Sequence, residues 1–324
     1  MRPKAPGTVA RAFADRDLEE IHYYLTQSPR QLPSRLLYDT LGSTLFDAIC
    51  LLPWYGITRA EMRLLAAHGA SIGRQASPTE LVELGCGNGQ KLETLIGAMA
   101  PQRPDIHLID VSREALDQAT RLLRDAGLER ISVAHDTYED GLMHLPPPSQ
   151  HGRRLILFLG SNIGNFDPPG ASEFLHLTRR AVRRGDWLLL GVDLVKPERD
   201  LMLAYDDPLG ITAAFNKNLL LRLNAEAGTN FKLEAFQHEV RWNRTASRVE
   251  MYLVSRRRHD VVVPGPSRSL EFTLEPGESI WTESSYKYEP AGVQGLVKSC
   301  GFQTRCEWID DEARFLLALF EAVP

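Results

Sequence analysis

Gly85-Cys86-Gly87-Asn88-Gly89 is the first group of residues whose types and spacing imply chemistry. It follows the short apolar run Leu81–Leu84 and precedes a stretch with helical spacing. Glycines at such a turn let the backbone approach a ligand closely and accept positive φ. A helix starting just behind it offers free N–H groups. The spacing is GxGxG, so it matches neither the dinucleotide fingerprint GxGxxG nor the GK[ST] of a phosphate-binding loop. Asp110 ends the next apolar run, where a carboxylate can take both hydroxyls of a ribose. On the glycines alone, an NAD site or a plain tight turn remains open.

These residues need a scaffold, and the surrounding pattern supplies one. From Lys91 to Met99, Leu92, Leu95, Ile96 and Met99 fall on one helical face. Ile106–Asp110 reads as a strand. Ser112 can cap a helix over Arg113–Ala126 that stops at Gly127. Ile131–Ala134, Leu155–Leu159 and Trp187–Val192 read as further strands, the second fully buried. Strands alternating with helices predict a parallel sheet with right-handed crossovers. The alternation stops at about residue 197. A long helix over Ile211–Ala227 follows, then strand-like runs at Glu234–Asn243, Arg248–Val254 and Ser269–Leu274. After Pro290 the pattern resumes with a helix over Val293–Ser299 and strands at Phe302–Trp308 and Phe315–Ala322. The expected fold is α/β, with an inserted α+β unit. The expected division is 61–196 plus 287–324 for the cofactor and 1–60 plus 197–286 for the substrate.

E-L-G-x-G-x-G followed by Asp110 and further strands resembles the S-adenosylmethionine pocket of Rossmann-like class I methyltransferases. The closing helix and two strands fit the antiparallel hairpin that ends that sheet. The resemblance implies that Asp136 and Thr137, just after the third strand, contact adenine. An Asx turn is the plainer role for Asp136.

Longer stretches narrow the resemblance. They are Leu37–Asp47 (LYDTLGSTLFD), Leu52–Glu61 (LPWYGITRAE), Phe158–Asn165 (FLGSNIGN), Leu190–Lys196 (LGVDLVK), Ala204–Asp207 (AYDD), Gly210–Asn218 (GITAAFNKN) and Thr282–Lys287 (TESSYK). From about residue 30 to the C-terminus the chain resembles the L-histidine Nα-methyltransferases of ergothioneine biosynthesis, the EgtD family. The resemblance implies a Rossmann-like domain for S-adenosylmethionine and a second domain for histidine. It implies that Asn165 and Tyr205 hold the substrate α-carboxylate and that Tyr38 sits near the α-amine. Tyr55, Glu283 and Ser285 would surround the imidazole, with Met251 lining the pocket. Lys91 and the loop of Gly85, Gly87 and Gly89 would meet the methionine end of the cofactor.

The residue types suit these roles. An amide and a phenol can donate to a carboxylate without carrying a full charge. An imidazole N–H needs an acceptor, and a partly buried Glu283 left unpaired by an apolar ring is costly. Glu283 and Ser285 share one face of an extended strand, with Ser284 on the other. The plainer alternatives make Tyr38 and Tyr55 core aromatics and Glu283 a surface partner of Lys287. Methyl transfer is an in-line displacement, so the α-ammonium must first lose a proton, to Tyr38 or to water. The expected product is the trimethylated α-amine, hercynine, with S-adenosylhomocysteine released. Gly56-Ile57 after Tyr55, and Ser284-Ser285-Tyr286, depart from the usual family wall. A second outcome therefore stays open: transfer to a ring nitrogen of histidine (Nτ or Nπ), or to another small amino acid. A non-catalytic binding protein is a third, and the intact glycine loop with Asp110 argues against it.

Composition sets the outer bounds. The 324 residues carry a formal net charge of −5, which gives no bulk reason to seek nucleic acid or anionic membranes. Arg256-Arg257-Arg258 reads as a solvated loop. Cys50, Cys86, Cys300 and Cys306 show neither metal-ligand spacing nor a disulfide framework. No metal is expected. The opening MRPKAPGTVARAFADRD lacks a signal-peptide core, and no apolar run reaches membrane-spanning length. A soluble, cytoplasmic monomer acting on a small molecule is expected, with the Asn243-Arg244-Thr245 sequon accidental.

Overall fold

The computed structural model describes residues 13–99, 103–148 and 152–324. Residues 1–12, on which most of the leader reading rests, lie outside the described residues. The described chain opens with α1 (Asp15–Leu25), β1 (Arg30–Gln31), α2 (Thr40–Leu51) and α3 (Ile57–Ala76). Strands and helices then alternate: β2 (Glu80–Leu84), α4 (Gln90–Met99), β3 (Asp105–Asp110), α5 (Arg113–Asp125), β4 (Ile131–His135), α6 (Tyr138–His144), β5 (Arg154–Phe158), α7 (Pro168–Arg180) and β6 (Trp187–Asp193). The inserted stretch holds α8 (Glu198–Tyr205), α9 (Ile211–Glu226), β7 (Phe236–Asn243), β8 (Arg248–Ser255), β9 (His259–Val263), β10 (Leu270–Leu274) and β11 (Ser279–Tyr286). It closes with α10 (Pro290–Ser299), β12 (Phe302–Asp310) and β13 (Phe315–Ala322).

The main sheet has seven strands in the order β12-β13-β6-β5-β2-β3-β4. The five strands from β4 to β6 pair in parallel, and β13 lies antiparallel between β6 and β12. This is the Rossmann-like class I methyltransferase sheet, with its closing hairpin. Alternate residues along each strand feed two cores. Leu81, Leu108 and Leu157 pack with α3, α4 and α5, whereas Val82, Ile109 and Ile156 pack with α6, α7 and α10. Leu155–Phe158 of β5 are buried, as their unbroken apolar run requires, and Arg154 is buried with them against Glu80. From β2 the chain builds outward to β3 and β4, then returns to β5 on the other side. That reversal puts the carboxyl ends of β2 and β5 at the switch point where such sheets open a crevice.

The second sheet has the order β1-β11-β8-β7, and β9-β10 form a separate ribbon. The residues ahead of α3 pack with this part: β1 pairs with β11, and α2 lies against α9. The Asp39 carboxylate joins those two helices. It accepts Gly42 N at 2.7 Å, capping α2, and Asn218 Nδ2 at 2.6 Å. Helix α3 behaves differently. It packs on α4, β12 and β13, so a division at residue 60 would cut a helix that begins at Ile57. The strand expected from Glu234 begins at Phe236, because Leu233–Ala235 form a 3-10 turn.

The chain leaves the main sheet after Asp193 and returns at Tyr288, and the two ends are paired. Tyr288 N donates to Asp193 O at 3.1 Å and Val195 N to Tyr288 O at 3.0 Å. No helix of the described residues is long and apolar enough to cross a membrane.

Candidate active site

The glycine loop lies at the carboxyl end of β2, with φ of +78°, +51° and +83° at Gly85, Gly87 and Gly89. Two of these positions are also closed to a side chain. A Cβ on Gly89 would come within 2.8 Å of the Ala119 backbone, and one on Gly85 within 2.8 Å of the Tyr138 hydroxyl. Asp110, at the end of β3, is held by backbone donors: Ser112 N at 2.8 Å and Gly87 N at 3.3 Å. Burial pushes its carboxyl pKa up despite those bonds. Glu83, on β2 just before the loop, is buried, and its Oε2 has no partner. Burial pushes its pKa up to about 8, with Lys91 pulling the other way. A buried carboxyl with an open acceptor suits the cationic, ammonium-bearing end of S-adenosylmethionine, and Asp110 suits its ribose.

Lys91 reaches elsewhere than its loop. Its Nζ pairs with Glu61 at 2.7 Å, and Glu61 accepts Gly160 N through both oxygens at 2.9 Å. Glu61 thus anchors the turn after β5 to α3. Thr137 caps α6 and lines an open cleft with Val111 and Tyr138. Asp136 does not line that cleft. Its backbone N–H bonds Asp110 O at 3.2 Å and its side chain is half exposed near His144.

Tyr38, Tyr55, Asn165, Tyr205, Met251, Glu283 and Ser285 all line one cavity, and Tyr38, Asn165 and Glu283 also line that cleft. Several separate devices bring them there. The turn Gly160–Asn165 lies against β11, so close that a Cβ on Gly164 would meet Tyr286 O at 2.7 Å. Asn162 and Asn165 thereby enter the same cavity. Met251 and Glu283 are cross-strand neighbours on β8 and β11. A bulge between Trp281 and Glu283 resets the strand phase, with Thr282 buried and its Oγ1 bonded to Met251 O at 3.0 Å. Ser285 then lines the cavity and Ser284 the outer cleft, while Glu283 lines both. Tyr38 ends a 3-10 turn and packs edge-on against Phe46 and Phe215, at 5.6 and 5.5 Å between centroids. Burial pushes the phenol pKa of Tyr38 and Tyr55 well up. Burial also pushes Glu283 up to about 7, with Lys287 working against it.

Glu283 is not the surface partner of Lys287. Lys287 is fully buried and pairs with Asp193 Oδ2 at 2.9 Å. Its Nζ also donates to Tyr205 Oη and Ser285 Oγ, both at 2.8 Å, and Tyr205 Oη donates to Ser285 Oγ at 2.8 Å. The phenol described from sequence as free of full charge is therefore backed by an ammonium. Glu61, Asn162, Asp193 and Lys287 lie inside the stretches that carry the resemblance, but residue type alone gave them no role. The missing signal was pairing across the two parts of the chain. Phe46 and Phe215 have the same explanation.

A switch-point crevice, a glycine cradle and a strand-end acid define a Rossmann-like methyltransferase dependent on S-adenosylmethionine. Residues 17–322 match the family model described as histidine-specific methyltransferase, SAM-dependent, and the chain belongs to that family. It is 38% identical over 304 residues to the histidine N-alpha-methyltransferase of Mycobacterium tuberculosis (strain CDC 1551 / Oshkosh), covering 93% of each chain. It is 30% identical over 285 residues to ergothioneine biosynthesis protein 1 of Schizosaccharomyces pombe (strain 972 / ATCC 24843), covering 84% of this chain and 36% of that one. It is also 25% identical over 316 residues to the 4-dimethylallyltryptophan N-methyltransferase of Claviceps purpurea, covering 90% and 91%.

Proposed function

We propose that this enzyme methylates the α-amine of free L-histidine three times, giving hercynine, the trimethylated precursor in ergothioneine biosynthesis. The observation that carries the proposal is the single cavity lined by Tyr38, Tyr55, Asn165, Tyr205, Met251, Glu283 and Ser285. The names of the relatives point the same way. In this reading residues 1–60 and 197–286 serve the substrate, and 61–196 with 287–324 the cofactor, helix α3 spanning the division.

S-adenosylmethionine supplies an electrophilic methyl carbon on its sulfonium. Gly85, Gly87, Gly89 and Glu83 would hold its methionine end, Asp110 its ribose, and Thr137 and Asp136 its adenine. Lys91 acts one step removed, through Glu61 and the Gly160 turn. Asn165 and Tyr205 donate to the substrate carboxylate. Ser285 and Tyr55 orient the imidazole, and Glu283 accepts a ring N–H when ionised. Tyr38 stays protonated because its site is buried, so its oxygen accepts a hydrogen bond from the amine and aims the nitrogen lone pair. The amine's proton passes to water. Positioning supplies most of the rate in such an arrangement.

The test is incubation with S-adenosylmethionine and L-histidine, followed by NMR of the product. A trimethylammonium signal beside the α-carbon is expected. A methyl on Nτ or Nπ would overturn the assignment and leave Glu283 as a base for the ring.

A further inference from the structure

We propose that Lys287 is a positioning residue for substrate recognition: held by Asp193, it orients the Tyr205–Ser285 hydroxyl pair so that the pair offers one outward O–H to the substrate carboxylate. The inference rests on the reading above, in which Asn165 and Tyr205 take that carboxylate.

The geometry leaves little freedom. Lys287 Nζ has three protons, and it has three acceptors: Asp193 Oδ2, Tyr205 Oη and Ser285 Oγ. Each hydroxyl oxygen therefore accepts from the ammonium and keeps its own proton. One of those two protons closes the link between Tyr205 and Ser285. The other is left to point away from Lys287, into the cavity that both residues line. The pair has two settings: Tyr205 donates inward and Ser285 outward, or the reverse. A carboxylate at Tyr205 selects the second.

The charge is built for an anion. Asp193 faces two ammonium groups, Lys287 at 2.9 Å and Lys196 at 2.6 Å, so it neutralises only one of the two. Both Lys287 and Asp193 are almost wholly buried, which keeps the interaction strong. Burial would lower the Lys287 pKa, but Asp193 and Tyr205 outweigh it and the group is held charged. A hydroxyl hydrogen-bonded to an ammonium is a better donor than a free one.

The test compares kcat/KM for L-histidine with that for L-histidinamide, which lacks the negative charge. In Lys287→Met this ratio should fall by roughly 10- to 150-fold, the range for a hydrogen bond involving a charged group. The loss should appear in KM for histidine, with S-adenosylhomocysteine affinity by calorimetry unchanged. Adding Tyr205→Phe should lower the ratio no further, because both changes act on the same donor, the oriented Tyr205 hydroxyl. A ratio that stays at the wild-type value in Lys287→Met, while Asn165→Ala lowers it, makes Lys287 structural and overturns the inference alone. A ratio untouched by all three places the carboxylate elsewhere and overturns the reading beneath it. If Lys287→Met fails to bind S-adenosylhomocysteine, Lys287→Gln keeps a hydrogen-bonding head without charge, with the same expected fall and the same overturning result.

Discussion

The two walls of the active site are made from different materials. The proposed cofactor wall is largely backbone, drawn from one run between Glu83 and Ser112: three left-handed glycines, two backbone donors to a carboxylate, and the mouth of a helix. The proposed substrate wall is built on side chains, gathered from Tyr38, Tyr55, Asn165, Tyr205, Met251 and the pair Glu283 and Ser285. A backbone wall is fixed by conformation, so its failures should be failures of folding and loop shape. A side-chain wall can be retuned one group at a time, so its failures should be changes of preference.

The sharpest way to break this contrast is Gly89→Ala. The left-handed backbone costs about 1–2 kcal/mol and the clash with Ala119 about 1–3 more, so the expected loss of stability is about 2–5 kcal/mol. A thermal melt indistinguishable from wild type would show that the loop bends where we describe it as closed. Next, Glu283→Ala should lower kcat/KM for histidine by about 10- to 150-fold, equivalent to about 1.5–3 kcal/mol. The ratio of histidine to tryptophan turnover should fall with it, since the penalty for an unpaired carboxylate disappears. Equal loss for both amino acids would make Glu283 part of the scaffold. Asp110→Ala should weaken S-adenosylmethionine binding by at most the same amount, about 1.5–3 kcal/mol in calorimetry, because the loop retains its shape-determining glycines. Unchanged affinity would move the ribose away from β3.

A smaller effect comes from pH. Glu283, raised to about 7, is protonated below that value and ionised above it. Only the ionised form accepts the ring N–H, so kcat/KM for histidine should show an inflection near 7, rising with pH, beneath the further rise set by the substrate α-amine. Glu283→Gln should lose that inflection while keeping those of the substrate's own groups, and a profile identical to wild type would assign the inflection elsewhere. The smallest effect is expected from chelation: EDTA should leave the rate unchanged, and an EDTA-sensitive rate restored by a divalent cation would contradict the positional mechanism.

The same contrast explains what was legible in the sequence. Loop, acid and flanking strands are contiguous, so periodicity and glycine spacing located them to within a residue or two, and the burial of Leu92, Leu95, Ile96 and Met99 follows the predicted face. The substrate wall has no local pattern. Its members were nameable only through resemblance, and their partners were not nameable at all. Glu61, for instance, is a fully buried acid on a helix, and nothing in its surroundings along the chain announces Lys91 or the Gly160 amide. The bulge at Thr282 is similarly silent, although it sets the phase that turns Glu283 inward. Long-range pairing and strand irregularities depend on neighbours that local sequence does not contain.

The paired exit and entry at Asp193 and Tyr288 have a consequence for how this architecture can change. A segment whose two ends already touch closes a loop of almost any length at little extra entropic cost, so it can be exchanged without disturbing strand order. Such a graft would carry Tyr205, Met251, Glu283 and Ser285 together and leave Tyr38, Tyr55 and Asn165 behind. The cut points are not equivalent, however. A replacement that ends at Ser285 would separate the incoming Tyr205 from the resident Lys287, whereas one that runs to Tyr288 moves the hydroxyl pair and its ammonium as a unit, leaving Asp193, and the β1 and α2 contacts, to be matched across the seam.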